Sequence, residues 1–230
     1  MHGSDAPQGL PPIPPALRRH VEADGLWREV YAEPANGALR PALFLDRDGT
    51  VIEEVHYISR PEQVRLIDAA ARLIRRANAL GVAVVVITNQ AGIGRGRLGW
   101  EDYAAVEATV ARALGRAGAR IDALYAAPHA PSMAGIDATP YRKPAPGMLL
   151  RATRDLGLDL GASWIAGDCA TDIEAGRRAG LAGGWLVPTG YGARDAEAAR
   201  RLAHGSFEVV IGEDLAAMEA RLAALIAPTR

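Results

Sequence analysis

Lysine is almost missing from this chain. Of 26 basic residues in 230, 25 are Arg and the remaining one is Lys143. Where a bare positive charge suffices, Arg has taken the place. The position that keeps Lys is therefore a candidate site for a compact ammonium instead of a planar fork, set against chance survival. Cysteine is equally scarce: the single Cys169 excludes an internal disulfide and fits a reducing compartment. Long apolar runs are absent as well. Stretches such as residues 82–87 are far too short to span a bilayer, and the N-terminus lacks the charged-then-apolar pattern of a secretory signal. No sign of charge dominates, since the formal net charge is -1. No global field then favours nucleic acid or an acidic membrane as partner. These absences together predict a cytoplasmic protein; the oligomeric state stays open, a monomer being slightly favoured.

The remaining composition is that of an ordinary globular chain, 49% hydrophobic and 23% charged. Residues 1–40 read as a Pro-rich N-terminal extension or arm, with PPIPP at 11–15 extended and GLWREVYAE at 25–33 a short strand or arm packing on the domain. Residues 41–230 read as one domain. Buried strands are predicted over 42–45, 82–87, 121–126, 163–166, 184–187 and 207–211. Helices are predicted over 61–80, 100–117, 147–156, 171–179 and 214–226, several closed by a following Gly. Strands alternating with helices imply an α/β fold with a doubly wound, mainly parallel sheet covered on both faces. In such sheets ligands sit beyond the carboxyl ends of the strands.

The chemistry-bearing residues lie at those ends. Asp46 and Asp48 follow the first buried strand in DRDGT, and Gly49 permits a sharp turn. One carboxylate of such a pair can attack phosphorus while the other handles the leaving-group proton. A purely structural acidic turn is the competing reading. A calcium loop fails on Thr50 and Val51. Thr88, Asn89 and Gln90 follow the second strand, as hydrogen-bonding groups for a phosphoryl oxygen or as a capping turn. Lys143 stands in YRKP, just before the helix that Pro146 helps begin. Asp168 ends a later strand in GDCATD, where Asp172 can cap or orient the next helix. Asp168 can complete a magnesium site with Asp46. Each alternative is reasonable singly; the joint order of acid pair, hydroxyl, sole lysine and acid is what the structural readings fail to explain.

LFLDRDGT, VITNQ, RKPAPGML and AGDCATD resemble, in order, the four motifs of the haloacid-dehalogenase superfamily, over residues 42 to about 187. DRDGT, TNQAGIGRG and RKPAPGM are similar to the heptose-bisphosphate phosphatase family, and less fully to the histidinol-phosphate phosphatases. The resemblance implies a magnesium-dependent phosphatase acting on a small phosphorylated sugar through an aspartyl-phosphate. Asp46 would be the nucleophile and Asp48 the acid and base. Magnesium would be held by the carboxylates of Asp46 and Asp168 and the main-chain carbonyl of Asp48. Thr88 and Lys143 would hold the phosphoryl oxygens, and Asn89 and Arg142 would touch substrate. The gaps after Thr50 and before Lys143 are too short for a separate cap domain. They leave an open site under a flap with Glu53, Glu54, His56 and Tyr57, the last two either touching substrate or packing the flap.

Two departures bear on substrate. Relatives carry a zinc loop with one His and three Cys before the RKP motif; here residues 128–140 hold His129 and Asp137 but no Cys, so no structural zinc is expected. Cys169 stands where the heptose enzymes often place Lys, and reads as an inert small residue. Two rivals remain. Residues 94–99 match the dinucleotide fingerprint but do not open directly at a strand end. A non-catalytic scaffold would have no reason to keep the one lysine.

Overall fold

The computed structural model describes residues 9–34, 37–131 and 140–226. Most of the loop 128–140, Asp137 included, and the beginning of the Pro-rich tail lie outside the described residues. Among the described residues seven strands form one sheet: β1 (Trp27–Val30), β2 (Arg40–Leu45), β3 (Ala83–Asn89), β4 (Ala123–Ala127), β5 (Leu158–Gly167), β6 (Gly183–Leu186) and β7 (Glu208–Ile211). Their order is β1-β4-β3-β2-β5-β6-β7. All pairings are parallel except that of β1 with β4. The β-branched run of β3 is buried on both faces, as a central parallel strand requires. The chain winds outward from β2 to β3 and β4, then returns to β5 on the other side of β2. The switch point lies beside β2, and a crevice opens there at the strand ends.

Among the described residues seven α-helices accompany the sheet: α1 (Asp68–Ala79), α2 (Ala91–Gly94), α3 (Trp100–Arg116), α4 (Gly147–Leu156), α5 (Ala170–Ala179), α6 (Gly192–Arg200) and α7 (Leu215–Leu225). One core gathers α1, α3 and α7 against Leu43, Leu45, Val84 and Val86. The other gathers α4, α5 and α6 against Phe44, Val85, Ile87 and Ile165. Alternate residues of β2 and β3 thus feed opposite cores, the period-2 consequence of the pleat. Leu73 and Ile74 of α1 are fully buried, each contributing about 1.5–3 kcal/mol by leaving water. No helix among the described residues is long and apolar enough to cross a membrane.

Two departures from the sequence reading have physical causes. The helix expected over 61–80 is split. A 3-10 turn spans Pro61–Gln63 and α1 begins only at Asp68. The segment between pairs with the flap instead, through Glu53 N–H to Arg65 O (2.9 Å) and Ile67 N–H to Val51 O (3.0 Å). The apolar period of α1 is real, but the preceding backbone is already bonded elsewhere. α6 was not expected, because only Gly192 and Ala199 of it are buried and its sequence carries almost no apolar stripe. The N-terminal arm packs on the domain, as expected for the stretch 25–33. β1 is the edge strand of the sheet, and the fully buried Trp27 ring lies 5.0 Å from His20, 6.2 Å from Trp100 and 5.1 Å, edge-on, from Tyr103. Trp100 Nε1 donates to Pro11 O at 3.1 Å. Arg151 grips Glu22 with both terminal nitrogens, at 2.5 and 2.6 Å.

Candidate active site

β2 delivers Asp46 to the crevice, where the Asp46 N–H donates to Ala166 O of β5 at 2.9 Å. The side chain is largely buried. Against it stands Lys143, 3% exposed. Its Nζ lies 2.6 Å from Asp46 Oδ1, 2.7 Å from Asp172 Oδ1 and 3.0 Å from Ile87 O. Burial works against the ammonium, but Asp172 and Asp46 outweigh it and raise its pKa. Lys143 comes from a loop, and Asn89 brackets that loop. Lys143 N–H donates to Asn89 Oδ1 and Asn89 Nδ2 donates to Lys143 O, each at 3.0 Å. So the groups expected on substrate are first used on the protein. Asn89 clasps the Lys143 backbone, and the three ammonium donors reach Asp46, Asp172 and the Ile87 carbonyl instead of standing free for a phosphoryl oxygen.

Asp48 is held differently. Arg47 Nη2 donates to its two oxygens at 2.9 and 2.8 Å, and Gln90 Nε2 donates to Oδ2 at 2.8 Å. Gln90 Nε2 also reaches Thr88 Oγ1 at 2.8 Å. The Thr88 hydroxyl therefore accepts from Gln90 and has its own hydrogen left to donate. Asp168 accepts from Tyr191 N–H at 2.9 Å. Glycines fit around its carboxylate: a Cβ on Gly49 would come within 2.5 Å of Oδ2, and one on Gly190 within 1.9 Å. Asp172 Oδ2 accepts from Cys169 N–H at 2.9 Å. It therefore caps α5 with one oxygen and steadies Lys143 with the other.

These strand ends converge on one cavity of about 260 Å³. Asp46, Asp48, Thr88, Asn89, Arg142, Lys143 and Asp168 line it together, while Glu53 of the expected flap is not among its lining residues. The flap contributes Glu54, His56 and Tyr57 to the wall. Burial, and then Asp48, Asp168 and Asp46, push the Glu54 carboxyl up to about 7. Burial also raises Asp46, to about 7, with Lys143 opposing and Asp172 and Asp48 adding to the rise. Asp168 is raised to about 6 by burial and by Asp46. The cavity is thus overcrowded with carboxylates, which only a cation or bound protons can relieve. At the mouth, Arg142 donates to His129 O at 3.1 Å, and burial and the neighbouring Arg95 lower its pKa. Arg95 also donates to the Tyr57 hydroxyl, and Arg97 lies over the Tyr57 ring, 5.8 Å from its centroid. The arginines of the 94–99 fingerprint support the flap.

The sequence reading passed over Arg47 and Glu107; Gln90 and Glu54 it named, but without the bond from Gln90 to Asp48 or the raised Glu54 carboxyl. Arg47 lies inside the DRDGT motif and carried its own signal, a charge beside a buried strand. Glu107 had none, because its partner lies 60 residues away.

A site with an acid pair, one buried ammonium and an excess of oxygen donors belongs to chemistry on anionic substrates, and the comparisons with known proteins agree. The HAD-hydrolase-like family model matches residues 140–212. A D-glycero-beta-D-manno-heptose-1,7-bisphosphate 7-phosphatase from Mesorhizobium japonicum is 41% identical over 198 residues, covering 85% of this chain and 90% of that one. A D-glycero-alpha-D-manno-heptose-1,7-bisphosphate 7-phosphatase from Burkholderia mallei is 38% identical over 173 residues, covering 74% and 91%. Among solved structures, D,D-heptose 1,7-bisphosphate phosphatase from B. bronchiseptica, complexed with magnesium and phosphate, superposes with a TM-score of 0.70 at 31% identity, covering 80% of this chain and 98% of that one. The chain belongs to the haloacid-dehalogenase-like hydrolases and, within them, to the heptose-1,7-bisphosphate 7-phosphatase family.

Proposed function

We propose that this protein is a magnesium-dependent phosphomonoesterase that removes the 7-phosphate of D-glycero-D-manno-heptose 1,7-bisphosphate through an aspartyl-phosphate on Asp46. The observation that carries this reading is the Asp46–Lys143–Asp172 contact at the floor of the cavity. Among the described residues, hydrogen bonds to the Asp46 side chain reach Oδ1 only, so Oδ2 is available for attack. Oδ2 bonds to phosphorus as the bond from phosphorus to the sugar oxygen breaks, and Asp48 gives that oxygen its proton. Asp48 then takes a proton from water as the water oxygen bonds to phosphorus and the bond to Asp46 breaks, releasing inorganic phosphate. The Thr88 hydroxyl donates to a phosphoryl oxygen. Lys143 offsets the charge of Asp46 and of the group being transferred.

The donor set suits magnesium, a hard cation that takes oxygen ligands. The crowded carboxyls of Asp46 and Asp168 are an excess of negative charge that a divalent cation relieves. Those carboxylates and the Asp48 main-chain carbonyl would hold it, and when bound it polarises the phosphoryl oxygens. Arg142, with Arg95 beside it, makes the mouth cationic, which suits a substrate bearing a second phosphate. Cys169 as the sole cysteine supports a cytoplasmic location.

The test is a magnesium-supplemented screen of purified enzyme on both anomers of the heptose bisphosphate, histidinol phosphate and simple phosphomonoesters. The expected result is a kcat/KM for a heptose bisphosphate at least about tenfold above the simple esters, and no turnover by Asp46→Asn. Equal rates on all esters would leave a phosphatase without the heptose assignment. Normal turnover by Asp46→Asn would remove Asp46 as nucleophile.

A further inference from the structure

Arg47 has no part in the reaction just described, yet it is fully buried. Its guanidinium faces Asp48 on one side, with Nη2 on both carboxylate oxygens and Nε on Oδ1 at 3.1 Å. On the other side Nη1 donates to Glu107 of α3, and the Tyr103 ring centroid lies 5.6 Å from the guanidinium carbon. Tyr103 in turn meets Trp27 of β1 edge-on. Burying a guanidinium costs several kcal/mol unless its donors are matched. An apolar residue at this place would fill the core without that penalty.

We propose that Arg47 is the positioning residue for Asp48. The planar fork sets the direction of the carboxylate at the cavity wall, and Glu107 with Tyr103 sets the direction of the fork. The arrangement has a consequence for movement. Glu107 keeps Arg47 compensated, so Asp48 can turn toward a leaving oxygen without stranding a bare buried cation. Gln90 supplies the other bond to Asp48 and joins the same bracket to Thr88. The inference rests on the reading in which Asp48 serves the leaving group.

The experiment varies how much the leaving group needs a proton. p-Nitrophenolate departs without one, whereas a sugar alkoxide does not. First-turnover rates on p-nitrophenyl phosphate and on a sugar phosphate are compared for the parent, Asp48→Asn, Arg47→Lys and Glu107→Gln. Arg47→Lys keeps the charge and loses the fork. It should lower the sugar-phosphate rate by about tenfold or more and the nitrophenyl rate by less than about threefold, with KM within about twofold. Asp48→Asn should show the same selectivity. Glu107→Gln keeps an acceptor for Arg47 without the charge. It should show the selectivity at smaller size, and it decides the matter if Arg47→Lys does not fold. Equal losses on both esters, or no loss, in the Arg47 and Glu107 variants overturn the inference while leaving Asp48 in its role. Absence of selectivity in Asp48→Asn overturns that role, and the inference falls with it.

Discussion

Asp172 holds Lys143 at 2.7 Å while Asp46 holds the same ammonium at 2.6 Å. Asp172 and Lys143 are almost fully buried, so the ammonium is suspended between two carboxylates and has one further bond, to a main-chain carbonyl. Three acceptors converge on a compact tetrahedral donor. A planar guanidinium directs its donors in one plane and needs more room. Lys143→Arg should therefore reduce kcat/KM by about tenfold or more, near 1.4 kcal/mol at the transition state. Steady-state kinetics on the heptose bisphosphate check this, and a fully active variant would make the lone lysine an accident of composition.

Gly190 is a test of Asp168. Its φ is +52°, a conformation L side chains rarely adopt, and a Cβ there would press on the Asp168 carboxylate. Gly190→Ala should displace that carboxylate and raise the magnesium concentration for half-maximal activity by about tenfold or more. A magnesium titration of the variant measures this; an unaltered requirement would argue against Asp168 as a metal residue.

The carboxyl cluster sets a pH dependence. Burial foremost raises Asp46 and Glu54 to about 7 and Asp168 to about 6, against ordinary values near 4. The folded state binds these protons more tightly than the unfolded chain. The stability they contribute is complete below about pH 4 and is lost as pH rises through 6 and 7. In EDTA this cluster should lower Tm between about pH 5 and 8, and magnesium should raise Tm more at pH 8 than at pH 5.5. Thermal melts with and without the ion decide it: a magnesium shift independent of pH would contradict the assignment.

Loop 128–140 carries His129 and no cysteine; even with Asp137 that is two ligands short of the four a structural zinc takes. Purified protein should contain no stoichiometric zinc, and a zinc chelator should leave Tm unchanged. Elemental analysis returning about one zinc per chain would overturn this.

The strand ends were legible from sequence because each signal is local. Asp46, Thr88 and Asp168 directly follow runs whose apolar period marks a strand, and Lys143 is conspicuous in a chain otherwise built with Arg. What stayed illegible depends on partners brought from a distance. Nothing in Glu107 announces Arg47. Nothing in Asn89 announces that it will clasp a loop 54 residues later. The split of the expected helix at 61–80 came from backbone hydrogen bonds to the flap, which no side-chain period encodes.

The sequence by itself determined the alternation of strands and helices apart from α6, the buried runs and the acids, hydroxyl and lysine that punctuate them, since these follow from side-chain period and residue chemistry. Only the tertiary structure decided that β1 completes the sheet edge, that Trp27 packs behind Tyr103 and Arg47, and that Lys143 is shared between Asp46 and Asp172. The first two depend on the antiparallel pairing of β1 with β4, and the last on the register of β2 between β3 and β5, because that register brings separate strand ends within hydrogen-bond distance of each other.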